Sequence, residues 1–141
     1  MIDKNKVQDV DVKSVFSVCV PIQWGDMDAL GHLNNIFYFR YMEEARIKWL
    51  QSLGERIDNS TRGPVLFDAH CVYYKPVVYP ATLRIELSSE PPRRSNFNLV
   101  YDMHCVEKEE LVAQGKTKIV WVDYTRMKSV SLPDRLKSLL I

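Results

Sequence analysis

The segment Trp24–Arg46 reads WGDMDALGHLNNIFYFRYMEEAR and changes character near its middle. Its first half is rich in glycine, aspartate and asparagine, which favour turns. From about Asn35 to Leu53 the apolar residues recur at helical spacing; they are Tyr38, Tyr41, Met42, Ala45, Trp49 and Leu53. Asn34 is placed to cap the first turn, and Gly54 to end the last. The segment therefore predicts a loop followed by a helix of about five turns.

On both sides of this helix, apolar and polar residues alternate with the period of a β-strand. Phe16–Trp24 precedes the loop and places Val18, Val20, Ile22 and Trp24 on one side. Four further strands are predicted at Pro64–Tyr74, Thr82–Ser88, Ser95–Val106 and Leu111–Tyr124. Their short connections favour antiparallel pairing. A short helix is expected at Asp134–Leu140. The pattern predicts an α+β domain in which a curved antiparallel sheet of about five strands wraps one long helix.

The composition indicates a single domain over residues 1–141, with a polar and frayed segment at residues 1–13. A net charge of +1 argues against a nucleic-acid partner, which would require a basic excess. No apolar run approaches the ~18 residues of a membrane span, and no secretory signal is evident, so a cytoplasmic location is expected. Cys19, Cys71 and Cys105 form no CxxC pair; we expect buried free thiols and no metal site.

The segment Trp24–Arg46 resembles the opening signature of the 4-hydroxybenzoyl-CoA thioesterase-like family of hotdog-fold acyl-CoA thioesterases. The family pattern is DxD, then GHxNN, then YxxYxExAR. The matching residues are Asp26, Asp28, Gly31, His32, Asn34, Asn35, Tyr38, Tyr41, Glu43, Ala45 and Arg46. Later pieces fit as well: Tyr74–Pro76, Arg94–Ser95, Val112–Gly115, Val120–Asp123 and Leu132–Pro133. The resemblance covers nearly the whole chain and implies the hotdog fold and a thioester hydrolase.

Elementary chemistry supports a reactive centre at this loop. Asp28 precedes the predicted helix by seven residues, across a loop that contains glycine. A helix N-terminus offers unpaired amides and about half a positive charge, which suits a developing oxyanion. A nearby carboxylate can then attack a carbonyl or take a proton from water. The resemblance assigns the carboxylate role to Asp28 and the oxyanion amide to the region of Asn35.

For His32, Glu43 and Tyr38, the sequence allows both a functional and a structural role. His32 is a catalytic candidate that polarises a carbonyl or acts as a base, and it equally suits ordering of the loop. Glu43 is a second catalytic candidate, because the resemblance includes thioesterases with a helical glutamate, but it can also pair with Arg46. Asp26 is expected to be structural. Tyr38 is a candidate for substrate contact, although its place on the apolar stripe favours packing.

Substrate binding is assigned to the turn before the fourth strand. Ser95 is a candidate for holding a water or the pantetheine arm, as the resemblance implies. Arg93 and Arg94 are candidates for the CoA phosphates, which guanidinium groups bind well; a solvated turn is the alternative. The acyl pocket is predicted to include Phe37, Phe67 and Tyr73. The expected partner is an acyl-CoA or acyl carrier protein thioester, with no cofactor, because CoA belongs to the substrate.

Two other functions fit this fold and remain open from the sequence. One is a 3-hydroxyacyl thioester dehydratase, for which His32 is the candidate histidine. The other is a non-catalytic acyl-CoA-binding protein, since a fold does not determine a function. The open sheet edge of the predicted domain, together with the resemblance, implies a homodimer or homotetramer whose active site lies at a subunit boundary.

Overall fold

The computed structural model describes residues 11–54 and 61–141. The helices are α1 (Phe37–Ser52) and α2 (Asp134–Leu140), and a short 3-10 turn covers Trp24–Asp26. The strands are β1 (Lys13–Pro21), β2 (Arg62–Tyr73), β3 (Thr82–Ser89), β4 (Asn96–Cys105), β5 (Glu110–Asp123) and β6 (Lys128–Ser129). All neighbouring strands are antiparallel, in the order β1-β3-β4-β5-β2, and β6 pairs with β5. The predicted α+β architecture is confirmed, with the two-residue β6 as an addition.

One face of the sheet and one side of α1 together form the core. Alternate residues of β3 and β4 point into it with almost no exposure; they are Leu83, Ile85, Leu87, Phe97, Leu99, Tyr101 and Met103. The helical stripe predicted from the sequence is buried against them, and the Trp49 ring meets Phe97 edge to face at 6.0 Å. No helix in the described part of the chain is long and apolar enough to cross a membrane.

The C-terminal end of α1 follows the prediction, but the N-cap is Ile36, without a side-chain cap, and not Asn34 as predicted. Asn34 lies ahead of the helix, where its Oδ1 accepts the Ile36 amide at 3.2 Å and its carbonyl accepts the Phe37 amide at 3.0 Å. Regular helix therefore begins at Phe37, two residues later than predicted. Gly54 has a φ of +72° and donates its amide to Gln51 at 3.0 Å, a left-handed ending that glycine adopts without strain.

The first strand was predicted to extend too far. β1 ends at Pro21, and the Ile22 amide makes one more bond, to the Ala81 carbonyl at 2.9 Å, before the chain enters the 3-10 turn. Trp24 was predicted on the buried side but is 75% exposed, because the turn breaks the period of two. The predicted fraying of residues 1–13 falls mostly outside the described residues, and Lys13 already belongs to β1.

The three cysteines differ in exposure, which corrects the prediction that all are buried. Cys105 is buried, Cys71 is half-buried and Cys19 is exposed. Cys19 lies on the side of β1 opposite Val20, which is 6% exposed. Burial raises the pKa of the Cys71 thiol to about 11, so that thiol stays protonated at neutral pH.

Helix α1 packs against β5 at Gly115 through the side chain of Met42. A Cβ built on Gly115 would collide with the sulfur and methyl of Met42, a residue only 1% exposed. Met42 thus occupies the space that a side chain on β5 would need. The absence of a side chain at Gly115 therefore leaves room for Met42 between the helix and the sheet.

We expect Gly115→Ala to lower the free energy of unfolding by about 1–3 kcal/mol, because overpacking forces the buried Met42 off its rotamer. Met42→Ala alone should cost about 2–5 kcal/mol through its cavity. The double variant should cost less than the sum, since the new methyl fills part of that cavity. Urea unfolding of all four proteins measures this cycle. Gly25→Ala is the matched control, because a Cβ there meets no atom within 4 Å. Strict additivity would contradict the packing described.

Candidate active site

Asp28 lies in the loop between the 3-10 turn and α1, and its carboxylate shapes that loop. Its Oδ1 accepts the amide of Leu30 at 2.9 Å and that of His32 at 3.3 Å. Its own amide donates to the His32 carbonyl at 2.8 Å, and Gly31 turns the chain with a φ of +81°. Within the described residues, Oδ2 has no hydrogen-bond partner. One oxygen of Asp28 therefore orders the loop, and the other is available for chemistry.

A cavity of about 520 Å³ opens beside this carboxylate. Its lining residues are Trp24, Gly25, Met27, Asp28, Gly31 and Tyr79. The segment that carries Tyr79 is held against the loop, because the Leu33 amide donates to the Val77 carbonyl at 2.7 Å. The volume falls within the usual range for small-molecule sites.

Asp26 fixes the loop to the helix, in agreement with its predicted structural role. The residue is 4% exposed, and its Oδ2 accepts hydrogen bonds from the Arg40 guanidinium and, at 2.5 Å, from the Tyr41 hydroxyl. The Gln23 amide donates to the same hydroxyl at 3.2 Å. Burial, together with the bond to Asp26, raises the pKa of Tyr41 and keeps its proton in place.

The start of α1 brings Asn35 into reach of β2. The Tyr73 hydroxyl donates to the Asn35 carbonyl at 2.8 Å, and burial raises the pKa of Tyr73 to about 12, so this donor persists at neutral pH. None of the hydrogen bonds among residues 11–54 and 61–141 uses the Asn35 amide. His32 contributes its backbone to the Asp28 loop, and its half-buried ring has no hydrogen-bond partner in the same part of the chain.

Glu43 lies away from the Asp28 cleft, on the exposed side of α1. It lines a separate cavity of about 250 Å³ with Phe39, Arg40, Met42, Arg46, Leu66, Ala69 and Thr117. The Glu43–Arg46 ion pair considered from the sequence is not formed. Instead Arg46, 9% exposed, donates to the Tyr101 hydroxyl at 3.1 Å. Glu43 is therefore a second carboxylate at a cavity, without a salt bridge in the described chain.

The residues predicted to bind substrate do not gather around Asp28 within one chain. Ser95 directly precedes β4, at the end of the sheet opposite Asp28, where its carbonyl accepts the Trp121 amide at 2.8 Å. Arg93 is exposed beside it, and Arg94 donates to the Ser131 hydroxyl at 2.9 Å. Tyr38 is 2% exposed and packs edge to face on Tyr73 at 4.9 Å, so it supports the site from the core.

The predicted acyl pocket is not the cavity beside Asp28. Phe67 occupies a bulge of β2, is 72% exposed and lies 5.9 Å from the Lys118 ammonium. Trp24 and Tyr79 form the walls instead. Trp24 alternates with Ile22, which suggested a core position, and no sequence pattern had singled out Tyr79. In the described ranges no three His, Cys, Asp or Glu side chains cluster as metal ligands.

Comparison with protein families places nearly the whole chain in one of them. Residues 22–140 match the model of the thioesterase-like superfamily. A curated protein of Aquifex aeolicus (strain VF5), named "Putative esterase", is 33% identical over 123 residues, which cover 84% of this chain and 92% of that protein. The YsmA protein of Bacillus subtilis (strain 168) is 29% identical over 86% of this chain and 82% of its own length.

Solved structures agree with this assignment. The PA2801 protein of Pseudomonas aeruginosa is 35% identical and superposes with a TM-score of 0.86 over 89% of this chain and 98% of its own. The 1,4-dihydroxy-2-naphthoyl-CoA thioesterase Slr0204 of Synechocystis has the same fold, with 20% identity and a TM-score of 0.81 over 88% of this chain and 93% of its own. The chain therefore belongs to the thioesterase-like superfamily and is a hotdog-fold thioester hydrolase.

Proposed function

We propose that the protein is an acyl-CoA thioesterase with Asp28 as its catalytic carboxylate. The observation that carries this assignment is the geometry of Asp28. One oxygen is fixed by two backbone amides, and the other is unpartnered in the described chain beside a cavity of about 520 Å³. A carboxylate held in this way is oriented without being neutralised by a cation.

An acyl carrier protein thioester presents the same carbonyl and the same pantetheine sulfur. We place the reaction in the cytoplasm.

Hydrolysis then proceeds by one of two routes. In the first, Asp28 takes a proton from water while the water oxygen bonds to the thioester carbonyl carbon. In the second, the carboxylate itself bonds to that carbon, and water later opens the resulting anhydride. In both, negative charge collects on the carbonyl oxygen, where the Asn35 amide serves as a donor, and the C–S electrons leave with the thiolate.

A second carboxylate has its own supporting observation. Glu43 lines the 250 Å³ cavity with the buried Arg46 guanidinium, a donor suited to a carbonyl oxygen. Asp28 is preferred because its carboxylate is held by hydrogen bonds and lies in the loop that leads to the helix start. Glu43 is exposed, and no hydrogen bond from residues 11–54 or 61–141 orients it.

The sheet offers a route to a homodimer. β2 is twelve residues long, has a neighbour on one side only, and exposes Leu66 and Phe67 by 46% and 72%. Edge strands with exposed apolar residues favour pairing with another strand. Antiparallel pairing of two β2 edges about a two-fold axis is self-complementary. We propose this pairing for the dimer, and a tetramer as a dimer of dimers.

Such a dimer resolves the separation between Asp28 and the arginines. Asp28 lies at the end of the sheet where β2 finishes, and Arg93 and Arg94 lie where β4 begins, roughly 30 Å away along the strands. Antiparallel pairing of β2 with its copy places the arginine end of one subunit beside the Asp28 end of the other. Each site then combines Asp28 of one chain with Arg93 and Arg94 of its partner.

Asp28→Asn should lower kcat for acyl-CoA hydrolysis by at least ~10²-fold, because the amide neither attacks nor accepts a proton. Its carbonyl oxygen still accepts the Leu30 and His32 amides, so stability should be unchanged. Asp26→Asn is the matched control for the stability measurement. It weakens a buried charge-assisted network and should cost about 1–3 kcal/mol of stability. Steady-state thiol release and urea unfolding measure both effects. Wild-type kcat in Asp28→Asn, with loss of activity in Glu43→Gln, would transfer the role to Glu43.

Replacing Arg93 and Arg94 together by Ala should raise KM for acyl-CoA about tenfold, equivalent to roughly 1.4 kcal/mol, with little change in kcat. The reason is loss of phosphate contacts that are equal in ground and transition states. Lys108 and Arg135, changed together to Ala, remove the same charge elsewhere and should leave KM unchanged. An unaltered KM in the Arg93/Arg94 variant would move phosphate binding elsewhere, with Lys75 and Lys116 next to test.

Mixed oligomers test the shared site directly. Asp28→Asn subunits and Arg93→Ala/Arg94→Ala subunits are each weak at low substrate. A heterodimer of the two contains one intact site if the two elements come from different chains. Random mixing should then restore about a quarter of wild-type activity at low acyl-CoA concentration, since half of the dimers are mixed. Absence of any recovery, or a monomer by light scattering at micromolar concentration, would contradict the shared site.

A further inference from the structure

We propose that the cleft between Trp24 and Tyr79 holds the apolar part of the acyl group, and that these two side chains set the preferred chain length. This inference rests on the proposed function, because it takes Asp28 as the carboxylate that acts on the thioester carbonyl. It goes further by assigning the substrate class, an apolar acyl group, and the residues that select it. Neither residue was assigned a binding role from the sequence.

Large apolar side chains around the cleft are exposed to solvent. Trp24 is 75% exposed and Tyr79 44%, and the neighbouring Leu30 and Val78 are 81% and 50% exposed. Keeping this much apolar surface in water is unfavourable at about 25 cal/mol per Å². An exposed apolar patch of this kind typically marks a binding surface. Here the patch borders the proposed catalytic carboxylate.

The residues that line the cavity are mostly uncharged. Asp28 is the only charged side chain among the six residues that line the cavity, and the others are apolar, aromatic or glycine. No lysine or arginine lines it, so the CoA phosphates would gain no charge complement there. A thioester carbonyl near Asp28 with an apolar chain along Trp24 and Tyr79 matches the lining. The acyl part of the substrate therefore fits better than the nucleotide part.

The cleft between Trp24 and Tyr79 is open, and its walls are anchored. A Cβ added at Gly25 or Gly31 would meet no atom within 4 Å, so the glycines leave the floor of the cleft free. The Trp24 carbonyl accepts the Met27 amide at 3.1 Å, which fixes the turn that presents the indole. A pre-formed apolar cleft binds a chain with less ordering cost than a flexible one.

Tryptophan fluorescence reports on this cleft without any turnover. The chain has three tryptophans, and Trp49 and Trp121 are 2% and 4% exposed, so quenching by acrylamide reports mainly on Trp24. S-alkyl-CoA thioethers of four, eight and twelve carbons are bound while affinity is followed by calorimetry. We expect protection of Trp24 that grows with alkyl length, and none from CoA alone. Thioethers that bind without protecting Trp24, or equal protection by CoA, would overturn the inference.

Substrate selection provides the second measurement. Trp24→Ala should lower the ratio of kcat/KM for octanoyl-CoA over acetyl-CoA at least about tenfold, through lost apolar contact. Leu139→Ala removes an exposed apolar side chain on α2 and should leave the ratio unchanged. An unchanged ratio in a folded Trp24→Ala variant overturns the proposal. So does a change of oligomeric state without a change of ratio, which would make the patch a contact between copies.

These outcomes are separable from failure of the proposed function. Protection of Trp24 by thioethers requires no hydrolysis, so it can be observed whether or not Asp28 is the catalyst. If Asp28→Asn abolishes hydrolysis but Trp24 is never protected, the catalytic assignment stands and the acyl cleft is wrong. If Trp24 is protected and Asp28→Asn hydrolyses at the wild-type rate, the cleft stands and the catalytic carboxylate is another one.

Discussion

The buried carboxylate of Asp26 ties the loop that carries Asp28 to helix α1. A carboxylate at 4% exposure requires partners, and Arg40 and Tyr41 supply them from the first turns of the helix. Because those partners are on α1, the loop cannot shift without losing them. The position of Asp28, two residues further along, is therefore set by packing of the helix on the sheet. The contact of Met42 with Gly115 of β5 is part of this packing.

The residues proposed for catalysis and those proposed for CoA binding lie at opposite ends of the sheet. Asp28, the start of α1 and the aromatic cleft lie at one end, and Arg93, Arg94 and Ser95 lie at the other. A strand of about ten residues is so long that side chains at its two ends cannot contact the same part of one substrate. A two-fold axis perpendicular to the paired β2 strands would place opposite ends of the two sheets side by side. Assembly would then be part of the active site rather than an addition to it.

Much of the fold could be predicted because its signals are local and repeated. The stripe from Tyr38 to Trp49 and the alternation in β3 and β4 each reflect one buried face, so periodicity identified them. The structural role of Asp26 also followed from residue type and position, whereas Asn34 lies two residues before the N-cap, Ile36. Trp24 was misplaced because a 3-10 turn interrupts the alternation after Pro21, and the turn-forming residues that follow Trp24 do not show where the strand ends. The separation of Arg93 and Arg94 from Asp28 depends on strand order, a long-range property that no local pattern carries.

The central claim is that this loop and helix start hydrolyse a thioester, rather than hydrate one or only bind it. The dehydratase would act through His32, whose ring has no oriented partner in the described chain, and a binding protein would need no free carboxylate oxygen. Two assays separate hydrolysis, hydration and simple binding most directly. One follows thiol release from octanoyl-CoA with DTNB, and the other follows the absorbance of an enoyl-CoA. The account predicts steady thiol release in step with free octanoic acid, and no loss of the enoyl absorbance by hydration. Hydration of the enoyl thioester without thiol release, or tight binding of octanoyl-CoA with no turnover, would contradict it.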